Sequence, residues 1–211
     1  MTLPRGSGRR GSGPRGSGRW REIAVAGHTG DADAARGALA DADPVSRELG
    51  LGALARLGVL TDDHVRAALV DEAPAVRRRA AMIAGHRPSV SLRAVLHDSD
   101  PTVVEAAAWA CGEQESVDDD VLDVLIDLGV SSSDALVREA CTAALGAIGD
   151  PRGLATILHG CADKPAVRRR AVLALAPFEG DEVDAALQTA LTDRDWQVRQ
   201  AAEDVLRAAN G

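Results

Sequence analysis

The chain has 211 residues with no Tyr, one Phe and three Trp, and its formal net charge at pH 7 is −8. So few large rings argue against a single thick hydrophobic core, whereas thin layers of Ala, Leu and Val that stack repeat on repeat need none. The acidic balance makes nucleic acid a poor default partner, because phosphate backbones carry the same sign of charge.

An arginine- and glycine-rich segment opens the sequence. Residues 1–19 contain Arg-Gly-Ser-Gly three times, and residues 1–21 carry six Arg and no acidic residue. Because residues 1–19 offer almost nothing to bury, we expect them to be disordered and residues 20–211 to form the folded domain. The segment could be an arm that touches RNA or acidic lipid, a solvated tail, or an extension created by an upstream start codon.

From Trp20 onward the apolar periodicity is helical, with no strand alternation. Residues 20–26 are predicted to form an isolated helix, and the turn at 27–31 leads into the first helix pair. A similar phrase then returns six times at intervals of 27 to 34 residues, which is typical of a stack of supersecondary units. The first helix of each repeat is predicted at 31–40, 62–70, 89–97, 118–128, 151–159 and 181–191. The second helix is predicted to begin at an anchor residue, which is Pro44, Pro74, Pro101, Ala135, Pro165 or Trp196.

Residues typical of helix ends separate these segments. An Asp followed by Pro is the typical start of a helix, because the carboxylate caps a free N–H and Pro has none to leave unpaired. This pattern occurs at Asp43-Pro44, Asp100-Pro101 and Asp150-Pro151. Glycines stand where the second helices should end and are predicted to be left-handed C-caps. They are Gly58, Gly85, Gly112, Gly149 and Gly180.

Each second helix has an apolar face and a recurring arginine. Positions two, six and ten residues after the anchor are mostly Val, Ala and Leu, share one side of the helix, and suit close stacking. The position three residues after the anchor is Arg in five copies, namely Arg47, Arg77, Arg138, Arg168 and Arg199, and is Val104 in the third copy. These arginines could form a phosphate-binding stripe, but we favour an internal ladder because each copy also brings its own Asp.

The repeated run Asp-x-Asp-Pro-x-Val-Arg-x-x-Ala-x-x-Ala-Leu-Gly resembles HEAT repeats, in the short form shared with phycobilisome-lyase subunits. The resemblance covers about residues 30–211. It implies an all-α, right-handed α-solenoid of about six helix pairs. It also implies that the second helices line a concave face on which partners are recognised.

The resemblance places the recognition stripe four and eight residues after the anchors. The candidate protein-binding residues there are Arg78, Met82, Glu105, Trp109, Glu139, Arg169 and Leu173. Exposed Trp and Arg beside apolar neighbours are typical anchors of a protein interface. Trp109 is either such an anchor or a side chain buried in the wall of the solenoid, and the sequence leaves both open.

No chemistry is predicted for this chain. Some HEAT-repeat enzymes are di-iron hydroxylases with His-Glu pairs, but none of the five His is followed by Glu, and P-loop and nucleophile-elbow motifs are absent. We therefore predict no catalytic residue, metal site or cofactor, and a scaffold or adaptor that binds an unidentified protein. One alternative is a nucleic-acid-binding or DNA-repair protein related to HEAT-like DNA glycosylases, acting through residues 1–19, Arg78 and Arg169. A third is an accessory subunit of a cofactor lyase.

Location and assembly follow from the same composition. No apolar run resembles a signal peptide or a membrane span, and the three Cys show no paired spacing. We therefore expect a cytoplasmic monomer that makes no membrane contact.

Overall fold

A computed structural model describes residues 17–209, which form twelve α-helices and two 3-10 turns and contain no strand. The helices are α1 Ser17–Thr29, α2 Ala32–Ala38, α3 Pro44–Arg56, α4 Asp62–Ala68, α5 Pro74–Ala84, α6 Pro101–Gly112, α7 Asp119–Ser131, α8 Ala135–Ile148, α9 Leu154–Gly160, α10 Pro165–Ala174, α11 Asp181–Ala190 and α12 Trp196–Ala209. None of the helices in this range is long and apolar enough to cross a membrane. The prediction of an all-α solenoid is confirmed.

The chain divides into two compact units between Val59 and Leu60. In the first unit α3 packs on both α1 and α2. In the second unit the second helices α5, α6, α8, α10 and α12 pack in series. Four of these five also pack on their own first helix, α4, α7, α9 or α11. Within each unit the helices thus bury their apolar surface on their neighbours, as a solenoid requires.

The second helices begin at the anchor residues because local chemistry stops the chain from becoming helical earlier. The carboxylate of Asp43 accepts from the N–H groups of Val45 and Ser46, and that of Asp100 accepts from Thr102. Pro follows both caps at the first helical position. The Asp43-Pro44 and Asp100-Pro101 starts are therefore confirmed, and Asp150-Pro151 instead starts the 3-10 turn that precedes α9.

The apolar face of the second helices is buried as predicted. All residues two and six positions after the six anchors are buried, including Val76, Val137 and Ala171. Ten positions on, five of the six are buried, and Leu206 of the last helix is half-buried. The small residues at the sixth position allow the helix axes to approach closely.

The prediction of a helix over 89–97 is wrong. Only Val95–His97 forms a 3-10 turn, and the rest of the segment is irregular. Pro88 disfavours helical backbone in the residue before it, and the 3-10 turn packs on α6. The guanidinium of Arg87 donates to the carbonyl of Leu60 and to Asp62, and the amide of Gln114 donates to the carbonyl of Val90.

Two of the five predicted glycine caps are helical instead. Gly58 and Gly149 are left-handed as predicted, and Gly180 has positive φ but precedes α11 rather than ending α10. Gly85 and Gly112 have right-handed backbone at the end of α5 and α6. A Cβ on either would lie only 3.2 Å or 3.0 Å from a Cα of the next second helix, so these two glycines permit close packing.

Helix α1 is not an isolated helix but the second helix of a further, truncated repeat. It packs on α3, and Gly27 faces the Cα of Ala53 as Gly112 faces that of Ala144. The side chain of Arg19 reaches Asp41 at 3.6 Å, and the indole N–H of Trp20 donates to Asp43 at 2.6 Å. The helix begins at Ser17, three residues before the predicted domain boundary, because these contacts hold its first turn. The rest of the predicted tail lies outside the described residues.

Candidate functional site

The recurring arginines join successive repeats in the second unit. The guanidinium of Arg138 forms two parallel bonds with the carboxylate of Asp163, with Nε–Oδ2 at 2.6 Å and Nη2–Oδ1 at 2.8 Å. Its Nη1 also donates to the carbonyl of Ser132 at 2.7 Å. Arg77 forms the same pair of hydrogen bonds with Asp98, and Arg168 forms it with Asp193. This fork geometry adds two directional hydrogen bonds to the attraction between the charges, which makes such ion pairs strong.

Like Arg138, the remaining two arginines donate a hydrogen bond to a backbone carbonyl in the turn before their own helix. Nη1 of Arg47 donates to the carbonyl of Asp41 at 2.9 Å, and Nη1 of Arg199 donates to that of Asp193 at 2.7 Å. In the third copy both members of the pair are replaced. Val104 stands where the Arg would be, and Ser132 stands where its carboxylate partner would be. Loss of both partners together avoids an unpaired buried charge, as expected if the arginines stabilise the stack.

The arginines shift the titration of their partners. The bonds from Arg138 hold the pKa of Asp163 below its ordinary value of 3.8, and Arg77 and Arg168 do the same for Asp98 and Asp193. A carboxyl whose folded-state pKa is depressed contributes stability above its unfolded pKa. That stability is lost as the pH falls through the folded-state pKa.

We therefore expect the urea midpoint of unfolding to fall steeply below about pH 4. Urea titrations followed by circular dichroism at a series of pH values measure it. The double variant Arg138→Val with Asp163→Ser should show a shallower fall, because one depressed carboxyl is missing. Equal acid dependence in both proteins would contradict the pairing.

A cluster around Trp109 lies on the outward side of the second helices. We define this side, formed by the anchors of α5, α6, α8, α10 and α12 and by the positions one, four, five and eight residues after them, as the second-helix face. Trp109 on α6 keeps 36% of its surface exposed. The guanidinium carbon of Arg170, on α10, lies 4.9 Å from the centre of the indole ring. Since α8 packs on both α6 and α10, these two side chains meet across it.

Glu139 of α8 completes this cluster. Its carboxylate lies 3.8 Å from Nε of Arg170, a distance too long for a hydrogen bond. The buried Nε of Arg170 has no hydrogen-bond partner within residues 17–209. The guanidinium is thus held by the ring of Trp109 and by the nearby charge of Glu139. An exposed aromatic ring, a cation and an anion therefore lie together in three successive repeats.

A second feature of the same face is an open groove of about 210 Å³ between α10 and α12. Arg169 and Leu173 form one side, and Trp196, Gln200 and Asp204 lie on the other. Trp196 is 64% exposed. Two of the candidate residues, Arg169 and Leu173, therefore line one groove.

The other candidates lie on the same face, on α5 and α6. Arg78 and Met82 are exposed on α5, with 51% of Met82 accessible, and Glu105 is half-buried one turn before Trp109. The structure brings Trp109 and Glu139 together through Arg170. Within residues 17–209 no hydrogen bond, ion pair or cation–ring contact links Arg78 or Met82 to them.

Sequence reasoning missed three residues of this face. Arg170 stands five positions after its anchor, a position also held by Arg79 in the other copy with three consecutive arginines. Trp196 is the one large side chain at an anchor, where the other copies have Pro or Ala. Leu136, 56% exposed on α8, stands one position after its anchor. A comparison of the six repeats position by position predicts that Arg170 and Trp196 differ from the usual pattern.

The described part of the chain offers little reactive chemistry. No group of three or more His, Cys, Asp or Glu within residues 17–209 is placed to hold a metal ion. Burial raises the pKa of the Cys111 and Cys141 thiols to about 12 and that of Cys161 to about 11. These thiols are therefore protonated at neutral pH.

The pattern of HEAT repeats matches residues 63–146, 90–176 and 130–207. The chain belongs to the HEAT-repeat family. The resemblance stated from the sequence is thereby confirmed, and the HEAT repeats account for the stacked second helices. No curated protein sequence matches this HEAT-repeat chain.

Several solved structures are similar to this chain. YibA of Escherichia coli superposes with a TM-score of 0.62 at 18% identity over 94% of this chain and 76% of its own. Human deoxyhypusine hydroxylase in complex with glycerol has a TM-score of 0.47 at 19% identity, over 90% of this chain and 78% of its own. An engineered protein has a TM-score of 0.46 at 20% identity, over 89% and 87%. At these identities the similarity to YibA shows the fold alone.

Proposed function

We propose that this protein is a non-catalytic HEAT-repeat scaffold that binds a protein partner through the second-helix face of residues 60–209. The observation that carries the proposal is the exposed Trp109 with Arg170 over its ring and Glu139 beside it. Trp and Arg are the residues most enriched in interface hot spots.

Apolar side chains extend this cluster along the face. Met82 and Leu136 are more than half exposed on the neighbouring helices α5 and α8. Apolar anchors bordered by charges of both signs are the usual composition of a protein interface. A polyanion is a poorer match, because Glu105 and Glu139 stand on the same face and would repel phosphates.

Truncation of the Trp109 side chain tests the proposal. We expect Trp109→Ala to weaken partner binding by about 2 kcal/mol, which is roughly thirtyfold in the dissociation constant. The partner is first identified by tagged capture and mass spectrometry, and its affinity is then measured by calorimetry with purified proteins. Thermal melts of the variant show whether it is folded.

A matched control truncates an exposed apolar residue elsewhere. Val70 is 78% exposed and follows the first helix α4, so Val70→Ala should leave the affinity unchanged. Equal affinities of wild type and a folded Trp109→Ala variant would refute the assignment. Gel-shift titrations with DNA and RNA test the alternative. Tight, salt-sensitive binding by the chain without residues 1–16 would assign the face to nucleic acid.

A further inference from the structure

In the groove between α10 and α12 the acidic side chain is already hydrogen-bonded, whereas the basic side chain is not. On the α12 side the carboxylate of Asp204 accepts from the amide of Gln200 at 3.0 Å and from the guanidinium of Arg207 at 2.9 Å. On the α10 side Arg169 is half-buried, and within residues 17–209 it has neither a hydrogen-bond nor an ion-pair partner. The groove therefore offers one cation whose donors are available to a ligand.

Arg169 differs in this respect from the arginines on either side of it. Arg168 is committed to Asp193 by two bonds, and Arg170 lies between Trp109 and Glu139. A carboxylate is the ligand whose geometry fits the donors of a guanidinium. The charge of the groove therefore favours an acidic group.

The apolar lining lies beside this cation. The exposed ring of Trp196 and the half-buried side chain of Leu173 both line the groove. The volume of about 210 Å³ is below that of pockets for drug-sized ligands, which begin at about 300 Å³, so one or two side chains fill it. A single cation facing Asp204 does not suit a phosphodiester chain, which needs a continuous run of positive charge.

We propose that this groove binds a short extended segment of a protein partner that presents a carboxylate next to an apolar side chain. The carboxylate pairs with Arg169, and the apolar side chain packs on Trp196 and Leu173. The proposal rests on the proposed function, since it names the chemistry of the partner at one end of the second-helix face. It adds a subsite that is separate from the Trp109 cluster.

The three Trp of the chain make the groove observable by itself. Each gives one indole N–H signal in a nitrogen–proton correlation spectrum, and substitution of each Trp by Phe assigns it. The probes are three acetylated and amidated pentapeptides, Ser-Asp-Leu-Leu-Ser, Ser-Asn-Leu-Leu-Ser and Ser-Lys-Leu-Leu-Ser. We expect the Asp peptide to shift the Trp196 signal, and to bind about tenfold more tightly than the Asn and Lys peptides because the charge-assisted bond is lost in those two.

Two charge-neutralising variants separate the site from a general charge effect. Arg169→Gln should weaken binding of the Asp peptide about tenfold. Arg78→Gln is the matched control, since Arg78 holds the same repeat position on α5 but has no Trp at the next anchor. It should leave the Trp196 titration unchanged.

Several outcomes would overturn the proposal. They are equal shifts from all three peptides, no shift of Trp196 at the solubility limit, and an unchanged affinity in Arg169→Gln. Self-association of the chain that Arg169→Gln abolishes, measured by sedimentation, would assign the groove to a second copy instead. If the peptides fail to bind but Trp109→Ala still weakens partner binding, only the groove proposal is refuted. If the peptides bind but Trp109→Ala leaves partner affinity unchanged, the Trp109 cluster is refuted as the centre of the binding face.

Discussion

Replacement of Arg138 by Val should lower the free energy of unfolding by about 3 kcal/mol. The side chains of Arg138 and Asp163 are only 13% and 12% exposed, so removal of the guanidinium leaves a largely buried carboxylate without its main partner. The carbonyl of Ser132 loses a donor as well. Urea unfolding at pH 7, followed by circular dichroism, measures the change.

A double variant tests whether Arg138 and Asp163 act as a pair, and the third repeat shows which residues to introduce. Because Val104 and Ser132 occupy the two ladder positions there, the combination Arg138→Val with Asp163→Ser reproduces a pair that the fold already tolerates. We expect the double variant to recover about 2 kcal/mol relative to the sum of the single variants, as coupled groups do. Arg36→Ala is the control, since its pair with Asp33 is exposed and should contribute less than about 1 kcal/mol. Additive single effects would show that the two side chains act independently.

Substitution of Gly146 by Ala is expected to destabilise the protein by about 3 kcal/mol. A Cβ at this position of α8 would lie 2.5 Å from the Cβ and 2.7 Å from the Cα of Ala174 on α10. Contacts this short with a backbone atom cannot be relieved by a side-chain rotation, so the two helices must move apart. Chemical unfolding of the purified variant provides the measurement.

A second glycine gives a matched comparison for the same chemical change. Gly37 is also inside a helix, α2, but a Cβ there would meet nothing within 4 Å. Gly37→Ala should therefore be neutral or stabilise by up to about 1 kcal/mol, because Ala has the higher helix propensity. If Gly146→Ala is equally neutral, the close approach of α8 and α10 does not limit the stack.

The starts of the second helices and the residues that they bury follow from the local sequence. Those features depend on neighbouring residues: Asp43 and Asp100 cap the first N–H groups, Pro44 and Pro101 follow them, and the 3.6-residue period aligns one apolar face. The recurrence of Arg beside Asp likewise predicted a ladder, although it did not show which Asp of the next repeat pairs with Arg77, Arg138 and Arg168.

The other features depend on contacts between residues that are far apart in the chain, so the local sequence did not predict them. Gly85 and Gly112 were predicted as caps from the sequence, but each is helical because the next second helix lies against it. The status of α1 as a truncated repeat depends on its packing against α3. Arg170 meets Trp109 across α8, and Trp196 faces Arg169 across a groove. Such distances depend on how closely adjacent helices pack, which is a property of the assembled stack and not of any one repeat.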